Sequence, residues 1–387
     1  MTEEMTSKKR IVRALRLEEP DRVPVSFYEV NPYDEETWRL KHPAYLRYVE
    51  YAKKSDIFAF KVAEMAGPQT VGGIETGRIF YTESEKIRVR KDEWRVGNSA
   101  YCKTTVTTPR GELTSITRQD EGVATTWTVK YFLENEEDIE KFLSIPYGPL
   151  TPNLTSFYRA QRNLGERGLM LISLDDPLCA VASLFRYEDF LHEALASRSR
   201  VVELLKKMHK RLYDFYESLS KRTEETVFRI CGPEYVTPPV LASDFFEEFV
   251  VRFDRELVKV VQDHGNFACI HCHGKLDAVL EKIASMKPDA LEPLEPPPSG
   301  DLPLNQIKKR IGDKICLMGY IQYRDLANGS KDDIERRCRE AIEMGAEGGG
   351  YVILPTAGPI TAPSERELEN YKQLLISAKK YGKYSRK

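Results

Sequence analysis

From residue 136 onward, stretches with apolar residues three and four apart alternate with short, uniformly apolar runs. Helical spacing covers 136–143, 154–164, 187–195, 198–221, 245–263, 275–286, 304–311, 331–344 and 365–381, and the short runs lie at 169–174, 226–230, 267–270, 290–294, 315–318 and 351–354. Ahead of them, residues 7–17 set apolar Ile11, Val12, Ala14 and Leu15 against Lys8, Lys9, Arg10, Arg13 and Arg16, an amphipathic first helix whose charges read as a solvated face. Glu19-Pro20-Asp21-Arg22 ends it and residues 23–27 enter a first strand. Residues 76–130 differ: alternating patterns are broken by Gly97-Asn98 and Pro109-Arg110-Gly111, which predicts an antiparallel hairpin excursion. Strand–helix repetition of this length implies a parallel sheet, and its count suits a single (β/α)8 TIM-type barrel, one domain over 1–387 with an N-terminal helix and the excursion at about 76–130.

In such a barrel, reactive groups gather where strands end. Two of the six histidines, His271 and His273, sit at one tip at i, i+2, where alternation points them the same way, with Gly274 free to turn the chain behind them. Paired imidazoles there suit a metal ion or acid/base work. The other tips carry Tyr28 and Glu29; Asp175 and Asp176; Glu234 and Tyr235; Glu295 before three prolines; and Tyr320 and Gln322. The candidates for catalysis are therefore His271, His273, Glu234 and Tyr320, and those for substrate contact Tyr28, Asp176, Tyr235, Glu295 and Gln322. Each has a plainer alternative: Asp176 before Pro177 can cap the next turn, Glu234 can serve a helix start, and Glu295 can make a surface ion pair. Glu292 is a further carboxylate that alternation could direct inward.

Composition narrows the partners. Lys plus Arg (58) nearly balances Asp plus Glu (60), so no basic face attracts nucleic acid. No apolar run is long enough to cross a membrane, and residues 1–10 lack the apolar core of a secretion signal, which reads as a cytoplasmic protein. Seven scattered cysteines do not form a disulfide framework. Cys269-x-x-Cys272 has the spacing of a redox or zinc pair, but alternation sends Cys272 away from the face of His271 and His273.

The order of these tips resembles the uroporphyrinogen decarboxylase superfamily. The resemblance is carried by Lys9-Arg10-Ile11-Val12-Arg13-Ala14-Leu15 with Pro20-Asp21-Arg22-Val23-Pro24-Val25, then Thr108-Pro109-Arg110-Gly111-Glu112-Leu113, His271-Cys272-His273-Gly274, and Gly348-Gly349-Gly350 leading to Pro355. It implies a (β/α)8 barrel with its cleft at the C-terminal rim. The tetrapyrrole decarboxylases of that family carry an Arg-rich segment after strand one; here the place reads Ser26-Phe27-Tyr28-Glu29-Val30-Asn31. The zinc-dependent, corrinoid-linked methyltransferases hold their metal with His-x-Cys-Gly and a later Cys. By that alignment His271 matches the His, His273 replaces the first Cys and Ala357 falls near the second.

The resemblance therefore implies a methyltransferase-like enzyme in which zinc or another divalent metal sits on His271, His273 and Glu295, or Glu234 in its place. The metal would lower the pKa of a small acceptor. No Asp-x-His-x-x-Gly run is present, so a corrinoid would arrive on a partner protein. Decarboxylation of a tetrapyrrole or smaller acid, and a non-catalytic barrel that binds a corrinoid protein, are the alternative expectations.

Overall fold

The computed structural model describes residues 4–65, 74–75, 80–123 and 125–384. Seven parallel strands form one curled sheet in chain order: β1 (Ile57–Val62), β2 (Gly168–Asp175), β3 (Val227–Cys231), β4 (Phe267–His271), β5 (Ala290–Leu294), β6 (Cys316–Ile321) and β7 (Tyr351–Pro355). Helices such as Arg198–Ser220, Lys331–Gly345 and Glu365–Tyr381 return the chain between and after these strands, as parallel pairing requires.

The eightfold expectation is met in part. Residues 23–27 make no ladder: Val25 forms a single parallel bridge to Ile353 of β7, while its carbonyl accepts the Asp56 N–H beside β1 at 2.7 Å. An extended segment thus lies where an eighth strand was expected. The first true strand is Ile57–Val62, which the apolar pattern did not reveal.

Alternation along the strands sorts the core into two bodies. Phe58, Leu169, Leu171, Val227, Cys269, Cys316, Met318 and Val352 pack on the inner face; Ile57, Ile172, Phe228, Ile270, Leu291, Leu317 and Ile353 pack outward against the helices. The helix Ser7–Leu15, capped by Thr6, adds Ile11, Val12, Ala14 and Leu15 to the inner body. Each such buried aliphatic side chain contributes roughly 1.5–3 kcal/mol.

Its charged face is not wholly solvated. Arg10 is 2% exposed and pairs with Asp21 at 2.6 Å and with the fully buried Asp56 at 2.6 Å, while Arg22 meets the other Asp56 oxygen at 2.6 Å. An arginine here spans three segments because its fork has donors for more than one carboxylate.

The antiparallel excursion is a five-stranded sheet: Ile74–Glu75, Arg88–Val96, Ser99–Thr108, Gly111–Asp120 and Thr126–Lys130. Residues 76–79 and 124 of the predicted range lie outside the described residues. Two predicted helices differ in detail. Only Leu280–Ser285 is helical within 275–286, because the Leu276 and Asp277 N–H groups donate to Asp301 instead. The long helix at 243–262 carries a π-turn, Glu247–Val251, in its middle. All seven cysteines are free, and Cys272 packs outward beside Thr237, as alternation required. Among the described residues no helix is long and apolar enough to cross a membrane.

Candidate functional site

Register builds the site. Asp175 of β2 lies opposite Cys231 of β3, Cys231 opposite His271 of β4, and His271 opposite Glu292 of β5. This row crosses the C-terminal ends of four strands. Two residues before Cys231, on the same inner face, stands Arg229, a lone cation in an otherwise apolar strand.

Arg229 organises the floor. Its Nε is 2.7 Å from the Glu292 carboxylate, Nη1 donates to Glu29 at 2.6 Å, and Nη2 donates to the Tyr28 hydroxyl. Nη2 also lies 2.9 Å from His271 Nδ1 and 3.1 Å from Nε2. Glu292 reaches the same Nδ1 at 3.2 Å. These groups are nearly sealed: His271 is 5% and Glu292 3% exposed. Burial first, and then the adjacent guanidinium charge, hold the His271 pKa well below the ordinary imidazole range, so its ring is neutral. Burial pushes Glu292 up and Arg229 opposes it, while the carboxylates around Arg229 outweigh its own desolvation and keep it charged.

The rim above is different. His273 follows His271 with ring centroids 4.7 Å apart and planes nearly perpendicular. About a third of its side chain is exposed, and its Nδ1 lies 3.5 Å from Glu295 Oε2. Glu295 is itself fixed by the Gly274 N–H at 2.8 Å and by Gln322 Nε2 at 3.4 Å; Gln322 is fixed in turn by the Thr356 hydroxyl at 3.0 Å. Gly274 has φ +91°, the left-handed conformation that lets its N–H turn to that carboxylate. Burial raises the Glu295 pKa, but the His273 and Gly274 hydrogen bonds outweigh it and bring it below the usual range.

His271, His273, Glu295, Gln322 and Tyr28 therefore converge as the tip pattern predicts. Glu234, on the turn Pro233–Val236, is mostly buried and raised by that burial, with one oxygen, Oε2, lacking a protein donor. The Tyr235 ring packs on Tyr187 with centroids 5.8 Å apart, and its carbonyl accepts the Tyr187 hydroxyl. Two candidates are placed elsewhere. Asp176 is fully buried and caps the helix Pro177–Ala182, accepting the Cys179 N–H at 2.5 Å. Tyr320 joins the outer core, where its hydroxyl accepts the Leu304 N–H and donates to the Leu302 carbonyl. Its φ of +81° after Gly319 at +136° breaks the two-residue alternation that would have pointed it inward.

The metal expectation fits poorly with these residues. Among the described residues no group of three or more His, Cys, Asp or Glu side chains is disposed to hold an ion. His271 cannot readily lend a lone pair, because both ring nitrogens lie within hydrogen-bond distance of the Arg229 guanidinium. A divalent cation at the His271 ring would also face that fixed positive charge directly.

Comparison with known proteins agrees with this architecture. The uroporphyrinogen decarboxylase (URO-D) family model matches residues 125–381. No match to the sequence was found among curated proteins. A methyltransferase from Methanosarcina mazei superposes with a TM-score of 0.63 at 15% identity, covering 98% of this chain and 99% of that one. A broad-specificity GH5-4 endoglucanase from Clostridium acetobutylicum matches with a TM-score of 0.32 at 10% identity, over 54% of this chain and 84% of its own.

Proposed function

The chain belongs to the uroporphyrinogen decarboxylase family, and from that premise we propose that it is a methyl-transfer enzyme using His273 as general base. The observation that carries the proposal is the His273–Glu295 pair at the rim, anchored through Gly274 and Gln322. Glu295 takes the Nδ1 side of the ring, which leaves Nε2 as the basic nitrogen and stabilises the imidazolium that forms. Nε2 removes the proton from a small thiol or hydroxyl acceptor. The acceptor anion then attacks the methyl carbon, and the electron pair of the breaking bond stays with the donor, a corrinoid borne on a partner protein. The neighbour named as a methyltransferase shares the whole fold, and the acidic, arginine-free stretch after residue 25 disfavours a polycarboxylate substrate.

The test mixes the protein, a methylated corrinoid protein and a thiol, and follows the spectrum of the demethylated corrinoid. Demethylation that persists in the presence of a strong chelator and drops by a factor of 10²–10⁴ in His273→Ala supports the proposal. Loss of activity on chelation, or full activity of His273→Ala, would overturn it.

A second reading has one observation in its favour. Arg229 and a neutral His271 stand together at the floor, and Glu29, the one third-exposed ligand of Arg229, is placed where a substrate carboxylate could replace it. This favours decarboxylation of a small monoacid, and carbon dioxide release without a methyl donor would support it.

A further inference from the structure

Behind the site lies an arrangement that the proposed chemistry does not use. Asp254 follows the π-turn Glu247–Val251 on the helix Arg252–Gln262, whose buried residues include Phe253, Leu257 and Val258. It is fully buried, and neither carboxyl oxygen meets an N–H or O–H donor. The group within hydrogen-bond reach is the carboxyl of Asp176, also fully buried, whose Oδ2 likewise lacks such a donor. Two carboxylates cannot hydrogen-bond to each other without a proton between them, and two bare anions in so dry a place would repel strongly. We infer that Asp176 and Asp254 share a single proton at neutral pH and together brace the Gly232–Tyr235 turn.

The link to that turn is steric and direct. A Cβ at Gly232 would come within 1.9 Å of Asp176 Oδ1, so the backbone of the turn rests on this carboxyl. The Asp176 N–H also donates to the Cys231 carbonyl at 2.7 Å, just before the turn begins. The titratable groups facing the pair are Asp175 and Cys179 beside Asp176, Glu234 and Tyr235 on the turn, Cys272 after β4, and Tyr216 of the helix Arg198–Ser220. Burial, reinforced at Asp176 by the charge of Asp254, raises the pKa of both carboxyls well above the ordinary aspartate value.

A folded pKa above the unfolded one gives stability that is complete below the unfolded value and lost as pH rises through the folded one. An asparagine at position 254 keeps a donor toward Asp176 at every pH. The test is independent of the methyl-transfer reading. Infrared spectra of the wild type at neutral pH should show the C=O stretch of a protonated, buried carboxyl, absent in Asp254→Asn. Denaturation from neutral to alkaline pH should show the wild type losing stability in a limb that Asp254→Asn lacks, with Asp176→Asn as the second variant. No such carboxyl band in the wild type, or the same alkaline limb in both Asn variants, overturns the inference.

Discussion

His271 and His273 are two residues apart on one face of one strand end, yet they occupy different chemical worlds. His271 is sealed beside a guanidinium that keeps it neutral, whereas His273 is a third exposed and faces a carboxylate. Spacing made them look like a matched pair; what distinguishes them is the partner each receives from neighbouring strands, Arg229 from β3 and Glu295 from the end of β5. The floor should therefore respond to mutation as structure and the rim as chemistry. The largest effect belongs to the floor. Arg229→Met leaves Glu292 buried without its counter-ion and should cost about 3–5 kcal/mol in urea denaturation, with much of it recovered in the Arg229→Met/Glu292→Gln double variant. A loss under 1 kcal/mol for the single change would remove the distinction between the two regions.

Next comes the rim. His273→Ala should leave the urea midpoint nearly unchanged while lowering kcat/KM by about 10²–10⁴, and Glu295→Gln should lower it less, since it weakens the orientation of the ring but not its basicity outright. If His273→Ala destabilises as much as Arg229→Met, both histidines are framework.

Much of the fold could be read from local pattern. The helices Glu136–Leu143, Leu304–Ile311 and Glu365–Tyr381 and the strand Ala290–Leu294 start and stop where periodicity places them, because each buries one face or lies wholly inside. The strand Ile57–Val62 does not stand out because its short apolar run, Ile57-Phe58-Ala59-Phe60, lies ahead of the strand–helix alternation that marks the others. The site was legible as a set of tips, and His271, His273, Glu295, Gln322 and Tyr28 do meet. Arg229 was missed although it left a signal: one arginine inside Val227–Cys231, where a buried cation demands a counter-charge. Asp176 was drawn into the site by position alone, and its depth depends on the distant Asp254 and Gly232, which no local pattern brings together.

The contrast between the histidines sharpens further with pH. A neutral buried His271 takes no proton where the unfolded chain does, so its contribution is fully present above the unfolded pKa of about 6.5 and falls as pH drops below it. One proton of difference amounts to about 1.4 kcal/mol per pH unit. Urea denaturation should show the wild type losing about 1 kcal/mol relative to His271→Asn between pH 6.5 and 5.5, as the unfolded imidazole goes from half to about nine-tenths protonated. Parallel curves for the wild type and His271→Asn would mean that folding leaves the proton affinity of the floor histidine unchanged.

The smallest effect separates a tip residue that faces the site from one that does not. Tyr320→Phe removes a hydroxyl that accepts the Leu304 N–H at 3.0 Å and donates to the Leu302 carbonyl at 3.2 Å. Both bonds are buried, and losing them should cost about 1 kcal/mol of stability. Because the left-handed backbone at Gly319 and Tyr320 turns the ring to the outer core, kcat and KM should remain at wild-type values. A tenfold fall in kcat with an unchanged urea midpoint would place the phenol among the reacting groups, and would show that the break in alternation on β6 does not decide which side of the sheet carries the chemistry.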